Sequence, residues 1–182
     1  MAQSLLIVCV AEVEPHVARL REQFDPSAKR GLGAHITVLY SSLPPKRIAK
    51  TAIQRVAAVA SAVAPFSYQV TRVARFPGTL YLTAEPAAPF VSLHEQLVAV
   101  LPASAADTDS RQEYLPHISI VRKSAADDRD VEAELTALLE HHGPIACSCT
   151  EIVLLANSSG AWLPMRKFAL SGGTGSPSQG PS

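Results

Sequence analysis

The chain has 182 residues and balances 16 lysines and arginines against 16 aspartates and glutamates, so its formal charge is zero. That length suits one well-buried domain and is short for two independent ones. Zero net charge argues against a broad electrostatic footprint for binding along a nucleic-acid backbone, and leaves a nucleotide or an RNA end, held at a local positive site, as the nucleic-acid ligand to expect.

No stretch reaches the roughly 20 apolar residues that span a bilayer. The opening run MAQSLLIVCVAEVEP lacks a basic segment ahead of its apolar part, so no signal peptide is expected and the protein is read as cytoplasmic. Cys9, Cys147 and Cys149 form an odd set without CxxC spacing, as expected of buried thiols in a reducing compartment.

SLLIVCV predicts a buried strand, followed by a helix over EPHVARLREQF with Pro15 at its start and Val17, Leu20 and Phe24 at helical spacing. After the Gly31 and Gly33 loop, AHITVLYSS is a second strand. A second helix follows, with the stripe Ile48, Ala52, Val56, Val59 and Val63. FSYQVTRVARF and TLYLTAEP read as a hairpin around Pro77 and Gly78. The next helix carries Phe90, Leu93, Leu97 and Val100 and ends near Pro102.

A loop containing residues 107–113 leads to the strand YLPHISIVRK. Ser124 with Asp127 then forms a capping signal for a helix whose stripe is Val131, Leu135, Leu138 and His142, stopped by Gly143 and Pro144. IACSCTEIVLLAN and WLPMRKFAL predict a final strand pair around SSGA, and residues 171–182 read as a disordered tail outside a domain spanning 1–170. The order β-α-β-α-β-β-α-β-α-β-β contains two near copies of one α+β unit. The expected fold is therefore duplicated and bilobal: two small antiparallel sheets face a central groove, with helices outside.

The two copies share a motif. His35-Ile36-Thr37-Val38 and His117-Ile118-Ser119-Ile120 each read histidine, apolar, hydroxyl, apolar. In an extended strand His35 and Thr37 share one face, as do His117 and Ser119, while the aliphatic residues anchor the other face on the core. A lone His-x-Thr is commonly structural; two in matched places bring two imidazoles and two hydroxyls to one cavity. One neutral ring can accept a proton from water while the other, protonated, delivers one to a leaving oxygen, and the hydroxyls can donate to phosphate oxygens. This scheme needs no metal and no cofactor.

With these motifs the sequence resembles the two-histidine phosphoesterase superfamily, and within it the 2'-5' RNA ligase family, from about residue 4 to about residue 170; RFPGTLYLTAEPAAPFVSLHEQL is similar to the family's segment between the motifs. The resemblance implies metal-independent chemistry at a 2',3'-cyclic phosphate or a 2'-5' linkage, with a small cyclic nucleotide or an RNA 3' end as partner; the sequence itself points to no membrane and to no obligate protein partner. On that analogy His35 is the general acid and His117 the base, with the exchanged order open because the motifs are nearly symmetric. RNA end joining and a catalytically silent nucleotide- or RNA-binding module are the competing functions.

Beyond the motifs, strict alternation from His117 puts Arg122 on the opposite face, and it reaches phosphate only if the strand bends. Phe76 and Tyr81 are candidate substrate-stacking residues beside the hairpin turn, and Arg75, with Arg72, is a candidate substrate contact. A local basic rim is expected from Arg72, Arg75, Arg166 and Lys167. His94 is expected to be a packed or boundary histidine, and His141 with His142 to close a helix.

Overall fold

The computed structural model describes residues 3–41, 50–101, 114–122, 128–157 and 160–173. Their elements, in chain order, are β1 (Gln3–Cys9), α1 (Glu14–Phe24), β2 (His35–Ser41), α2 (Lys50–Ala62), β3 (Phe66–Phe76), β4 (Thr79–Glu85), α3 (Ala88–Val100), β5 (His117–Arg122), α4 (Asp128–His142), β6 (Ile145–Cys149), β7 (Glu151–Asn157) and β8 (Leu163–Ala169). Ile48, the helix end at Pro102, the 107–113 loop, the Ser124 and Asp127 cap, Ser158 and Ser159, and the tail beyond residue 173 lie outside the described residues. Among the described residues no helix is long and apolar enough to cross a membrane.

Two four-stranded sheets form, ordered β2-β1-β7-β8 and β5-β4-β3-β6, and every neighbouring pair is antiparallel. The orders match position for position, with a motif strand at the edge of each sheet. The expected duplication is thus realised as two halves that differ in sequence and agree in topology. One expectation is corrected: IACSCTEIVLLAN is two strands, not one. The chain leaves the second sheet after β6 and enters the first at β7, turning at Thr150, whose carbonyl accepts a hydrogen bond from Leu170 N at 2.8 Å.

The helices cross between halves. α1 packs against β5 and α3 against β2, so each follows a strand of one sheet and covers the motif strand of the other; α2 lies on β8 and α3, and α4 on β3. One apolar cluster runs through both halves, from Leu6, Val8 and Ile36 to Leu82, Ile118 and Leu135. Phe90 of α3 is fully buried in it and meets Phe66 and Tyr68 edge-on, each at 4.9 Å between ring centroids. Cys147 and Cys149 are buried on the core face, as expected, whereas Cys9 is exposed.

In α4 the buried line is Val131, Leu135 and Leu139. His142 is exposed rather than part of it, its ring 5.2 Å from that of His16. Residues 171–173, read from the sequence as the start of the tail, lie against α2: Gly172 N and Gly173 N donate to Val63 O and Ser61 O at its end, at 3.0 and 2.7 Å. Both glycines hold positive φ, 66° and 68°, which is what turns those amides onto the helix end.

Phe90→Ala opens a cavity where three aromatic rings meet. The expected cost is about 3–5 kcal/mol of unfolding free energy, read as a lower urea midpoint at unchanged slope.

Candidate active site

Each motif strand carries one extra residue. In β2, Ile7 of β1 faces Thr37 but Leu6 faces Leu39, so Val38 is a bulge; in β5, Tyr81 of β4 faces Ser119 but Leu80 faces Val121, so Ile120 is the bulge. A bulge shifts the phase of side-chain alternation. Accordingly Val38 and Leu39 both enter the main core, as do Ile120 and Val121. The residue after each pair then returns to the face that bears the histidine and the hydroxyl.

That residue is Tyr40 in the first half and Arg122 in the second. The strict-alternation reading of Arg122 is therefore corrected: the strand does bend, and the exposed guanidinium lies on the side of His117 and Ser119. Its charge depresses the proton affinity of both His35 and His117, so the two rings share one electrostatic neighbourhood. β2 and β5 themselves pack against each other without joining their sheets.

The histidines are held alike. His35 Nδ1 donates to Gly33 O at 2.7 Å and His117 Nδ1 to Leu115 O at 2.8 Å, in both cases the carbonyl two residues earlier. A carbonyl only accepts, so each neutral ring carries its proton on Nδ1 and keeps the Nε2 lone pair for proton exchange. Gly33 keeps this turn uncrowded, because a Cβ would meet a Glu14 oxygen at 3.2 Å; that same carboxylate accepts from Ala34 N.

His35 is 8% exposed, and burial brings its pKa down to about 4; His117, half-buried, is lowered from the ordinary histidine range, again chiefly by burial. Both rings are neutral at pH 7. Ser119 is buried and Thr37 half-buried, on the faces their histidines occupy.

Phe76 and Tyr81 stack on each other, with centroids 4.3 Å apart and planes at 25°, and His117 stands against both rings at 5.2 and 5.1 Å. Tyr81 is buried and Phe76 half-buried, so the pair packs the His117 ring from the sheet side and leaves Phe76 the more accessible surface. Arg75 is not on that face. It sits opposite Leu80, a core residue, and its guanidinium is engaged by Glu132 of α4.

Two members of the expected basic rim are likewise ion-paired, Arg72 with Glu85 and Lys167 with Glu151, each at 2.7 Å, while Arg166 keeps its charge and lies over the Phe168 ring. Among the described residues, no carboxylate forms a salt bridge with Arg122.

Three residues that sequence reasoning did not assign to the site hold its strands. Arg21 Nε donates to Ser119 O at 3.1 Å; Tyr114 Oη donates to Thr37 O at 3.1 Å; His94 Nδ1 donates to Val38 O at 2.7 Å. The packed histidine expected at position 94 is met, with its ring stacked on Tyr114 at 4.2 Å and 5°. The signal for Arg21 was present: a charged residue on the apolar stripe of α1 with Asp25 four positions on. Tyr114 carried none. Among the described residues, no group of three or more His, Cys, Asp or Glu side chains could hold a metal ion.

Comparison with known proteins bears on the family and the fold. Residues 10–161 match the family model of the 2'-5' RNA ligase superfamily. No curated protein matches the chain significantly. Among solved structures, the TT0787 protein of Thermus thermophilus aligns with a TM-score of 0.68 at 19% identity, over 93% of this chain and 98% of that one. Escherichia coli LigT complexed with 3'-AMP aligns with a TM-score of 0.63 at 15% identity, over 93% and 98%.

LigT structures complexed with ATP and with phosphate align similarly, with TM-scores of 0.61 and 0.55 at 15% and 14% identity, each over 93% of this chain and 97% of LigT. At such identities the likeness is one of fold. The family match covers most of the chain and both histidine motifs, and by it the chain belongs to the 2'-5' RNA ligase superfamily of two-histidine phosphoesterases.

Proposed function

We propose that the protein is a metal-independent phosphodiesterase that opens a 2',3'-cyclic phosphate, on a nucleotide or at an RNA end, to a 2'-phosphate. Superfamily membership supports a phosphoesterase-type activity. The observation that carries the finer reading is the matched tethering of His35 and His117 through Nδ1, which gives both rings a free Nε2 within the field of one cation, Arg122. The nucleotides and the phosphate in the LigT structures fit the same chemistry.

His117 Nε2 takes a proton from water as the water oxygen attacks phosphorus. The bond from phosphorus to the 3'-oxygen breaks, and His35 gives its proton to that oxygen, leaving a 3'-hydroxyl and a 2'-phosphate. The order of the two rings follows the family resemblance. Thr37 and Ser119 donate to the non-bridging oxygens and Arg122 offsets the charge that builds there. The half-exposed face of Phe76, backed by Tyr81, receives the base.

Burial keeps His35 deprotonated until the anionic substrate arrives and raises its proton affinity. Three of the four expected rim cations, Arg72, Arg75 and Lys167, are ion-paired, so that most of the rim is offset and Arg122 is the cation placed beside the histidines. That suits a small cyclic phosphate or a strand end better than an extended RNA.

Each of His35→Ala and His117→Ala, folded as judged by circular dichroism, is expected to lose about 10²–10⁴ in kcat on 2',3'-cyclic nucleotides, with wild-type turnover unchanged in EDTA and phosphorus NMR placing the product on the 2'-oxygen. A folded single variant that keeps the wild-type rate refutes the assignment. Because both free-enzyme histidines titrate below their ordinary value, the maximum of kcat/KM lies below pH 6.5, and that of kcat lies higher, where bound substrate has raised the ring that must hold the proton.

The same burial sets a stability slope. The unfolded chain binds a proton near pH 6.5 that the folded chain resists, so stability is full above pH 6.5 and is lost as pH falls toward about 4. His35→Gln removes about 2–3 kcal/mol of this loss, measured as urea unfolding at pH 7.5 against pH 4.5.

A further inference from the structure

The geometry points to Arg21 and Tyr114 as reciprocal positioning residues, each holding from one half of the molecule the backbone carbonyl of the hydroxyl residue in the other half's motif. This inference rests on the reading above, in which Thr37 and Ser119 hold the phosphate.

Arg21 is 1% exposed on α1, among Val17 and Leu20, where an aliphatic residue would serve packing alone. A buried arginine is costly unless it is paired, and here Nε and Nη2 are hydrogen-bonded while the buried Nη1 is not. Its Nη2 donates to Asp25 Oδ2 at 2.9 Å, and Asp25, also fully buried, accepts from Ser27 Oγ at 2.7 Å and Ser27 N at 2.9 Å. With that charge compensated inside α1 and the turn after it, Nε is left to reach Ser119 O on β5.

Nη1 lies 3.7 Å from the Glu14 oxygen that also accepts from Ala34 N, next to the carbonyl that orients His35. One guanidinium therefore spans the second motif strand and the turn ahead of the first.

Tyr114 does the converse. It comes from the second half, immediately ahead of β5, and its hydroxyl donates to Thr37 O on β2 while its ring lies flat on His94 of α3, which donates to Val38 O. The contacts fall where they are needed. Thr37 and Ser119 each precede a bulge, where the ladder to the neighbouring strand is interrupted and the backbone is least constrained by its own sheet. Fixing the carbonyl at that point fixes the direction of the Cα–Cβ bond that aims the hydroxyl.

The test is a pair of double-mutant cycles in kcat/KM on a 2',3'-cyclic nucleotide. Tyr114→Phe keeps the stacked ring and removes one hydroxyl; Arg21→Met with Asp25→Leu removes the pair together, so that no buried charge is orphaned. Each is expected to lower kcat/KM about 10- to 100-fold, the scale of a small misplacement of reacting groups. In a Thr37→Val background Tyr114→Phe should then change it less than about twofold, and in a Ser119→Ala background so should the Arg21 and Asp25 pair.

Full-sized losses in those backgrounds, or wild-type rates in the single backgrounds, overturn the inference and leave the proposed reaction standing. If the wild type turns over no cyclic phosphate, the proposed reaction fails instead. The cycles are then read as calorimetric affinity for 2'-AMP, where Tyr114→Phe must weaken binding at least about fivefold in the wild type and not in Thr37→Val. Equal weakening in both, or none in the wild type, also rejects the positioning role.

Discussion

Everything in this molecule depends on two sheet edges meeting without pairing. β2 and β5 are both edge strands, and an edge strand offers a row of unsatisfied amides and carbonyls that another strand readily completes. Had the two joined, they would have made one continuous sheet with no cleft. Instead, each is bulged one residue past its hydroxyl, and side chains close the edge there: Arg21 on Ser119 O, Tyr114 on Thr37 O and His94 on Val38 O. A side chain satisfies a carbonyl without demanding the close parallel approach of a second backbone.

The crossover helices make that arrangement self-consistent. Because α1 follows β1 yet packs on β5, and α3 follows β4 yet packs on β2, neither half can complete its motif strand alone. The core is continuous across the halves for the same reason. Electrostatics follow the same division. The buried Arg21 is paired with Asp25, and the two act on His35 in opposite directions, whereas Arg122 meets no carboxylate among the described residues and lowers the proton affinity of both histidines.

Much of this was legible in the sequence where period alone decides the outcome. The helical stripes, the Pro77-Gly78 hairpin and the His-x-hydroxyl alternation all state local geometry, and the two matched motifs implied the duplication. What failed to show is non-local. A bulge is a property of a pair of strands, so Arg122 read from β5 alone falls on the wrong face, and only the register with β4 returns it to the histidine side. Thr150 does not announce that the chain changes sheets, since β6 and β7 are each plausible halves of one long strand. Arg75 and Phe76 are neighbours whose sides are fixed by which face of β3 lies over α4, and the acidic partner Glu132 is far along the chain. Arg21 was visible as an anomaly on an apolar stripe, but its acceptor, a backbone carbonyl, has no sequence signature at all.

The way the cations are spent also bears on the scale of the proposed substrate. A protein that tracks a polyanion keeps lysines and arginines free along a surface and gains affinity by releasing counterions from several phosphates. Here Arg19 is tied to Glu134, Arg72 to Glu85, Arg75 to Glu132 and Lys167 to Glu151, pairs that cancel at the range where such a surface would act. Beside His117, Arg122 is a cation without a carboxylate partner among the described residues, on the face that also carries Ser119 and the Phe76–Tyr81 stack. Under the proposed reading, such a site would take one phosphate and the base attached to it, with the rest of any longer strand in solvent.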